Sequence, residues 1–117
     1  MIIEVWDVVI VPAFPNQENS SQYTSRPAII LEDLQDEVSI FPITKKLKQK
    51  ERYKYCFIVK KDSEEGKEMG LQFDSLIVLD REVSVSKYRL LSKIGSCPES
   101  IIDRIEELLE QKRKDNL

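Results

Sequence analysis

The feature that most constrains the fold of this chain is a run of short apolar segments, rich in β-branched residues, that turn-forming residues divide. Segments of this kind are typical of β-strands, and little helical pattern lies between them. The arrangement predicts an antiparallel barrel or sandwich, because parallel βαβ units would need a helix between consecutive strands. Five strands are predicted, over residues 5–11, 27–31, 38–43, 53–59 and 75–79. Pro42, inside the third of them, predicts an edge position or a bulge there.

The last segment of the chain changes to a helical period. Acidic residues lie near its start and basic residues near its end, which suits the dipole of a helix over about residues 98–113. Ser96 and Glu99 match a capping box at its beginning. From the sequence alone, the apolar stripe of this helix can dock on the barrel or on a second subunit. The residues of the stripe are Ile101, Ile102, Ile105, Leu108 and Leu109.

Length and hydropathy indicate a small single-domain protein without a membrane segment. Its 117 residues fit a single compact domain over residues 1–117. The apolar runs are far shorter than the roughly 18 residues that cross a bilayer, and residues 1–4 lack the basic start of a signal peptide. We therefore expect a cytoplasmic protein without a membrane segment.

The sequence lacks histidine, a spaced cysteine pair and a glycine-rich phosphate loop, and each absence excludes a class of catalytic or binding site. The sequence contains no histidine, which removes histidine-based acid–base catalysis, histidine-dependent triads and most zinc sites. Its two cysteines, Cys56 and Cys97, are not spaced as a redox or metal pair and are predicted to be buried, inert thiols. The three glycines form no phosphate-binding loop. We therefore expect neither a cofactor nor a metal.

Charge is unevenly distributed along the chain. Residues 1–44 carry a net charge of −6, with Arg26 as their single base, whereas residues 45–61 carry +7 and residues 62–117 carry −4. Clustered lysines and arginines with tyrosines beside them are typical of a polyanion site, where cations neutralise phosphates and rings stack on bases. The alternative is a lysine-rich loop that only keeps the chain soluble.

Six segments follow one another in a distinctive order: WDVVIV (residues 6–11), SRPAII (25–30), FPIT (41–44), DSLIVLD (74–80), KYRL (87–90) and KIG (93–95). In this order and spacing they resemble the MazF/PemK toxins of bacterial toxin–antitoxin systems, over nearly the whole chain. The resemblance implies a mainly β fold, a small SH3-like antiparallel barrel of the CcdB/MazF toxin type with a C-terminal amphipathic helix. Trp6 stands where that family usually has glycine, which predicts an altered first turn.

The same resemblance implies an activity and its residues. Family members are metal-independent endoribonucleases that cleave single-stranded RNA, form homodimers and are neutralised by an antitoxin protein. Arg26, from the Arg-Pro motif, and Thr44, from the Ile-Thr motif, would be the catalytic residues. The residues expected to bind RNA are Lys45, Lys46, Lys48, Phe14, Tyr23 and Arg81.

The side chains of Arg26 and Thr44 are chemically suited to RNA cleavage. Attack of a ribose 2′-hydroxyl on the neighbouring phosphate builds up negative charge, and a guanidinium offers five fixed donors that match phosphate oxygens. A threonine hydroxyl can donate one more hydrogen bond to the same oxygens. The residues do not assign the group that accepts the 2′-hydroxyl proton. A non-catalytic homologue of the same barrel, which binds RNA or, like CcdB, a protein target, is the alternative.

Overall fold

The computed structural model describes residues 2–12 and 25–117. Seven strands and two α-helices follow one another in this part of the chain, with two short 3₁₀ segments, Leu47–Arg52 and Lys87–Arg89. The helices are α1 (Glu64–Glu68) and α2 (Glu99–Asp115). The strands are β1 (Asp7–Val11), β2 (Arg26–Asp33), β3 (Glu37–Thr44), β4 (Cys56–Val59), β5 (Ser75–Val78), β6 (Val83–Ser86) and β7 (Ser92–Ser96).

Every strand pairing in the described chain is antiparallel, as the sequence pattern predicts. The strands follow the order β4-β5-β3-β2-β1-β7, and β6 pairs with β3. The five predicted strands are all present with shifted ends. The sequence pattern missed β6 and β7, because these two strands are short, rich in serine and not fully buried on either face.

Pro42 is in a central strand, and the prediction of an edge position or a bulge there is wrong. On one side of β3, Pro42 lies opposite Ala28 of β2. On the other side, β6 pairs with β3 only as far as Ile40, and β5 pairs with it only from Ile43. The proline therefore sits where β3 changes partners, so its missing N–H removes no hydrogen bond from a continuous ladder.

Helix α2 packs on the sheet of its own chain. Ile101 and Ile105 are buried in the main core, and Ile102, Leu108 and Leu109 pack partly buried against it. This settles the open choice between the barrel and a second subunit for the apolar stripe. The predicted capping box is wrong, because Ser96 ends β7 and the helix begins at Glu99 after Pro98, without a side-chain cap.

The far end of α2 is fixed by polar contacts. The Tyr55 hydroxyl donates to the Asp115 carboxylate at 2.6 Å, and the ammonium of Lys54 lies 3.2 Å from the same group. These partners hold the pKa of Asp115 below its usual value, the Tyr55 hydrogen bond being the largest cause. Lys112 donates to the carbonyl oxygens of Leu79 and Asp80. The helix is therefore tied to the start of β4 and to the end of β5.

Trp6 has a φ of 75°, in the left-handed region that favours glycine. The resemblance places a glycine at this position, so the backbone conformation is the one a glycine would adopt without strain. A non-glycine residue there costs about 1–2 kcal/mol. Two backbone hydrogen bonds hold Trp6 in place, from its N–H to Ile30 and from the N–H of Cys97 to its carbonyl.

Cys97 is buried, as predicted, whereas Cys56 is only half-buried. Burial, and to a lesser degree the nearby Asp7 carboxylate, raises the pKa of the Cys97 thiol to about 12. Cys97 therefore stays protonated at neutral pH, as expected of an inert thiol.

Asp7 is a buried acid at the start of β1, with an exposed fraction of 3%. Its carboxylate accepts a hydrogen bond from the N–H of Glu4 at 2.7 Å and pairs with the ammonium of Lys93 at 3.0 Å. The contact to Lys93 joins β1 to β7, the last strand of the sheet.

We expect Asp7→Ala to lower the free energy of unfolding by about 1–3 kcal/mol, because the hydrogen bond from Glu4 to a charged group and the ion pair with Lys93 are both lost. Urea unfolding of both proteins measures the difference. Asp62→Ala is the matched control, since Asp62 is exposed and has no described hydrogen bond or ion pair. Equal stability of the Asp7 and Asp62 variants would contradict this role.

Candidate active-site cleft

The sheet register brings the two predicted catalytic residues together. Arg26 begins β2 and Thr44 ends the neighbouring strand β3. Ala28 of β2 lies opposite Pro42 of β3. The described ladder ends at this pair, and Arg26 and Thr44 each lie two residues beyond it, at the same end of the two antiparallel strands.

Both residues line one cleft of about 690 Å³. One wall is formed by the paired ends of β2 and β3, and another by the loop that follows α1. Lys45 and Lys46, directly after β3, also line the cleft. The described lining therefore includes three cations and no carboxylate, which makes the cleft suited to a polyanion.

Arg26 is half-buried at the start of β2. Within residues 2–12 and 25–117, no carboxylate lies within ion-pairing distance of its guanidinium. A structural ion pair with the described acids therefore does not account for this arginine. Its fixed fork of donors faces a cleft that can admit a phosphate.

Thr44 has a local hydrogen bond that fixes its side chain. Its Oγ1 accepts from the backbone N–H of Lys46 at 3.1 Å. A hydroxyl that accepts one hydrogen bond can still donate its own hydrogen to another oxygen. Thr44 can therefore donate to a substrate phosphate while the turn after β3 holds it in position.

Within the described ranges, no group of three or more His, Cys, Asp or Glu side chains could hold a metal ion. In the same residues, no helix is long and apolar enough to cross a membrane.

Comparison with known proteins identifies the family. The family model described as "PemK-like, MazF-like toxin of type II toxin-antitoxin system" matches residues 4–112. The chain belongs to this family. The predicted resemblance is thereby confirmed, over almost the full length of the toxin.

A solved structure supports the fold of the toxin. It is titled "Endoribonuclease in complex with its cognate antitoxin from Mycobacterial species" and has a TM-score of 0.61 to this chain. The match covers 95% of this chain and 93% of the other at 9% sequence identity. At that identity it shows the fold, and the predicted fold class is confirmed. No curated protein matches the sequence.

The other residues predicted to bind RNA are not all in the cleft of the toxin. Lys45 and Lys46 line it, whereas Lys48 is exposed on the first 3₁₀ segment and is not among the lining residues. Arg81 is exposed three residues beyond the end of β5, and the cleft lies at the opposite end of that strand, at Ser75. Phe14 and Tyr23 lie outside the described residues.

Sequence reasoning missed the loop that forms the other wall of the cleft, including Gln72 and Phe73. Phe73 is 54% exposed, although it is a large apolar residue. The Lys45 ammonium lies 4.9 Å from the centre of its ring. A phenylalanine between Gln72 and Asp74 is a weak signal, since the same pattern fits a residue anchored in the core.

Proposed function

We propose that this toxin is a metal-independent endoribonuclease that cleaves single-stranded RNA in the cytoplasm and is neutralised by a cognate antitoxin. The observation that carries the proposal is the cleft in which Arg26 and Thr44 lie at paired strand ends, with Lys45 and Lys46 beside them. Family membership supports the toxin role and the antitoxin partner.

The reaction consumes no net proton, because one leaves the 2′-oxygen and one is taken up by the 5′-oxygen. The ribose 2′-oxygen bonds to phosphorus as its proton passes to solvent water, and the bond from phosphorus to the 5′-oxygen breaks as that oxygen takes up a proton from solvent water. The products are a 2′,3′-cyclic phosphate and a 5′-hydroxyl. Arg26 and Thr44 donate to the phosphorane oxygens, where charge is greatest in the transition state.

The proposal is tested by incubating the purified toxin with a long single-stranded RNA in excess EDTA. Discrete fragments with 2′,3′-cyclic phosphate ends are the expected result. Salt-sensitive RNA binding without cleavage would instead indicate a non-catalytic homologue. Neither binding nor cleavage would point to a protein target, as for CcdB-like toxins.

Lys45 and Lys46 are proposed to bind the RNA backbone. For single strands, the logarithm of the binding constant falls with the logarithm of salt concentration at a slope of about −0.7 for each neutralised phosphate. We expect Lys45→Gln/Lys46→Gln to make this slope shallower by about 1.4, measured by fluorescence anisotropy with a labelled RNA. Lys67→Gln/Lys114→Gln removes the same charge from exposed positions outside the cleft, and an equal change in that control would refute the assignment.

The toxin is also proposed to be a homodimer. Because the apolar stripe of α2 is already covered by the toxin's own sheet, the second copy would have to use another face. Tyr88 and Leu91 are candidates for that face, since they are 81% and 58% exposed. Light scattering is expected to give twice the chain mass of 13.7 kDa, and a monomer at all concentrations would contradict the proposal.

A further inference from the structure

We propose that Phe73 is a stacking platform for one nucleobase of the RNA, next to the phosphate held by Arg26 and Thr44. The inference rests on the proposed function, because it assigns a substrate contact within the same cleft. It adds a residue on the wall that faces the paired ends of β2 and β3.

The first observation is the exposure of the ring. Phe73 is 54% exposed to solvent, although the Lys45 ammonium lies over one face of its ring, 4.9 Å from the ring centre. A nucleobase has a π-face and can stack on such a ring whatever its sequence. The Lys45 ammonium beside it is within the same cleft and suits the phosphate of the stacked nucleotide.

The second observation is that the loop carrying Phe73 is fixed. Gly70 has a φ of 74°, and a Cβ there would lie 2.1 Å from the carbonyl oxygen of Ile94, so only glycine fits this close approach. The Ser75 hydroxyl donates to the carbonyl of Phe73 at 2.7 Å. Asp74 accepts from the N–H of Lys61 at 3.0 Å. A platform held in this way loses little conformational freedom when a base stacks on it.

Phe73 lies on a different wall of the cleft from Arg26 and Thr44. The scissile phosphate contacts the wall with Arg26 and Thr44, and the base of an adjoining nucleotide rests on the wall with Phe73. Stacking recognises the presence of a base more than its identity. Removal of that single base is therefore expected to weaken binding about 10- to 100-fold, with little dependence on which base is removed.

The test measures binding of one single-stranded oligonucleotide with 2′-deoxyribose at every position, so that no 2′-hydroxyl is available for cleavage. An abasic site is placed at each position in turn, and affinity is measured by fluorescence anisotropy. For the wild type, one abasic position is expected to weaken binding about 10- to 100-fold. For Phe73→Ala the same abasic site is expected to have no effect, while Phe73→Tyr retains the wild-type response.

Leu34→Ala is the matched control, since Leu34 is an exposed apolar residue outside the cleft, and it is expected to respond like the wild type. Two results would overturn the inference: equal sensitivity of the wild type and Phe73→Ala to the abasic site, or no sensitive position in the wild type. Cleavage of the unmodified RNA is scored separately. A toxin that shows the Phe73-dependent base effect but cuts no RNA would refute the proposed activity and leave the stacking site standing.

Discussion

Replacement of Arg26 by alanine is expected to lower the rate of RNA cleavage about 10³-fold or more. Arg26 is the cation at the start of β2 that faces the cleft without a described acid to pair with. An arginine that stabilises charge on a transferring phosphoryl group contributes about 10³- to 10⁵-fold in other phosphoryl-transfer enzymes. Single-turnover cleavage of a labelled single-stranded RNA in EDTA measures the loss.

Two further variants sharpen this experiment. Arg26→Lys keeps the charge but loses the fork of donors, so we expect a rate between those of the wild type and Arg26→Ala. Arg89→Ala is the control, because Arg89 is exposed outside the cleft and has no described ion pair. The unfolding midpoints of all variants are compared with the wild type. Full activity of a folded Arg26→Ala protein would remove Arg26 from the active site.

Replacement of Thr44 by valine is expected to slow cleavage about 10²- to 10³-fold, the usual loss when one donor to a developing oxyanion is removed. Valine keeps the shape of the side chain but has no hydroxyl. The Lys46 N–H, which Thr44 accepts from, lies at an exposed residue and can turn to water instead.

Thr44→Ser is the informative partner of this variant, since it retains both the acceptor for Lys46 and the hydrogen to donate. We expect it to stay within about tenfold of the wild type, a loss of at most about 1.4 kcal/mol in transition-state stabilisation. The measurement is the same single-turnover assay. If Thr44→Val and Thr44→Ser were equally active, the hydroxyl would have no part in the reaction, and β-propensity alone would explain a threonine at the end of β3.

Hydrophobic periodicity in the sequence predicted most of the secondary structure correctly. The five apolar segments all became strands and the terminal stripe became a helix, because hydrophobic periodicity reports directly which side of an element is buried. The failures were local signals that tertiary contacts overrode. Ser96 and Glu99 fit a capping box, yet Ser96 is used in the ladder of β7 with β1. Pro42 predicted an edge position or a bulge, because nothing in the sequence indicates that β3 changes strand partners at this residue.

The candidate site likewise contains residues that the sequence predicted correctly as cleft residues, while other predicted residues lie elsewhere. The sequence predicted Arg26 and Thr44 through the motif order that indicated the family, and Lys45 and Lys46 through a cluster of charge, and all four line the cleft. Lys48 and Arg81 were grouped with them by closeness in the chain or by analogy, and neither lines the cleft.

The sequence by itself determined the family, the strand-forming segments, the exclusion of histidine chemistry and the two motif residues proposed for the site. The tertiary structure decided which side chains share the cleft. Arg26 and Thr44 become neighbours only through the register of β2 with β3, and Phe73 joins them only because β5 pairs with β3. The physical reason is that local periodicity sets which face of an element is buried, whereas register and strand order depend on contacts between residues far apart in the chain.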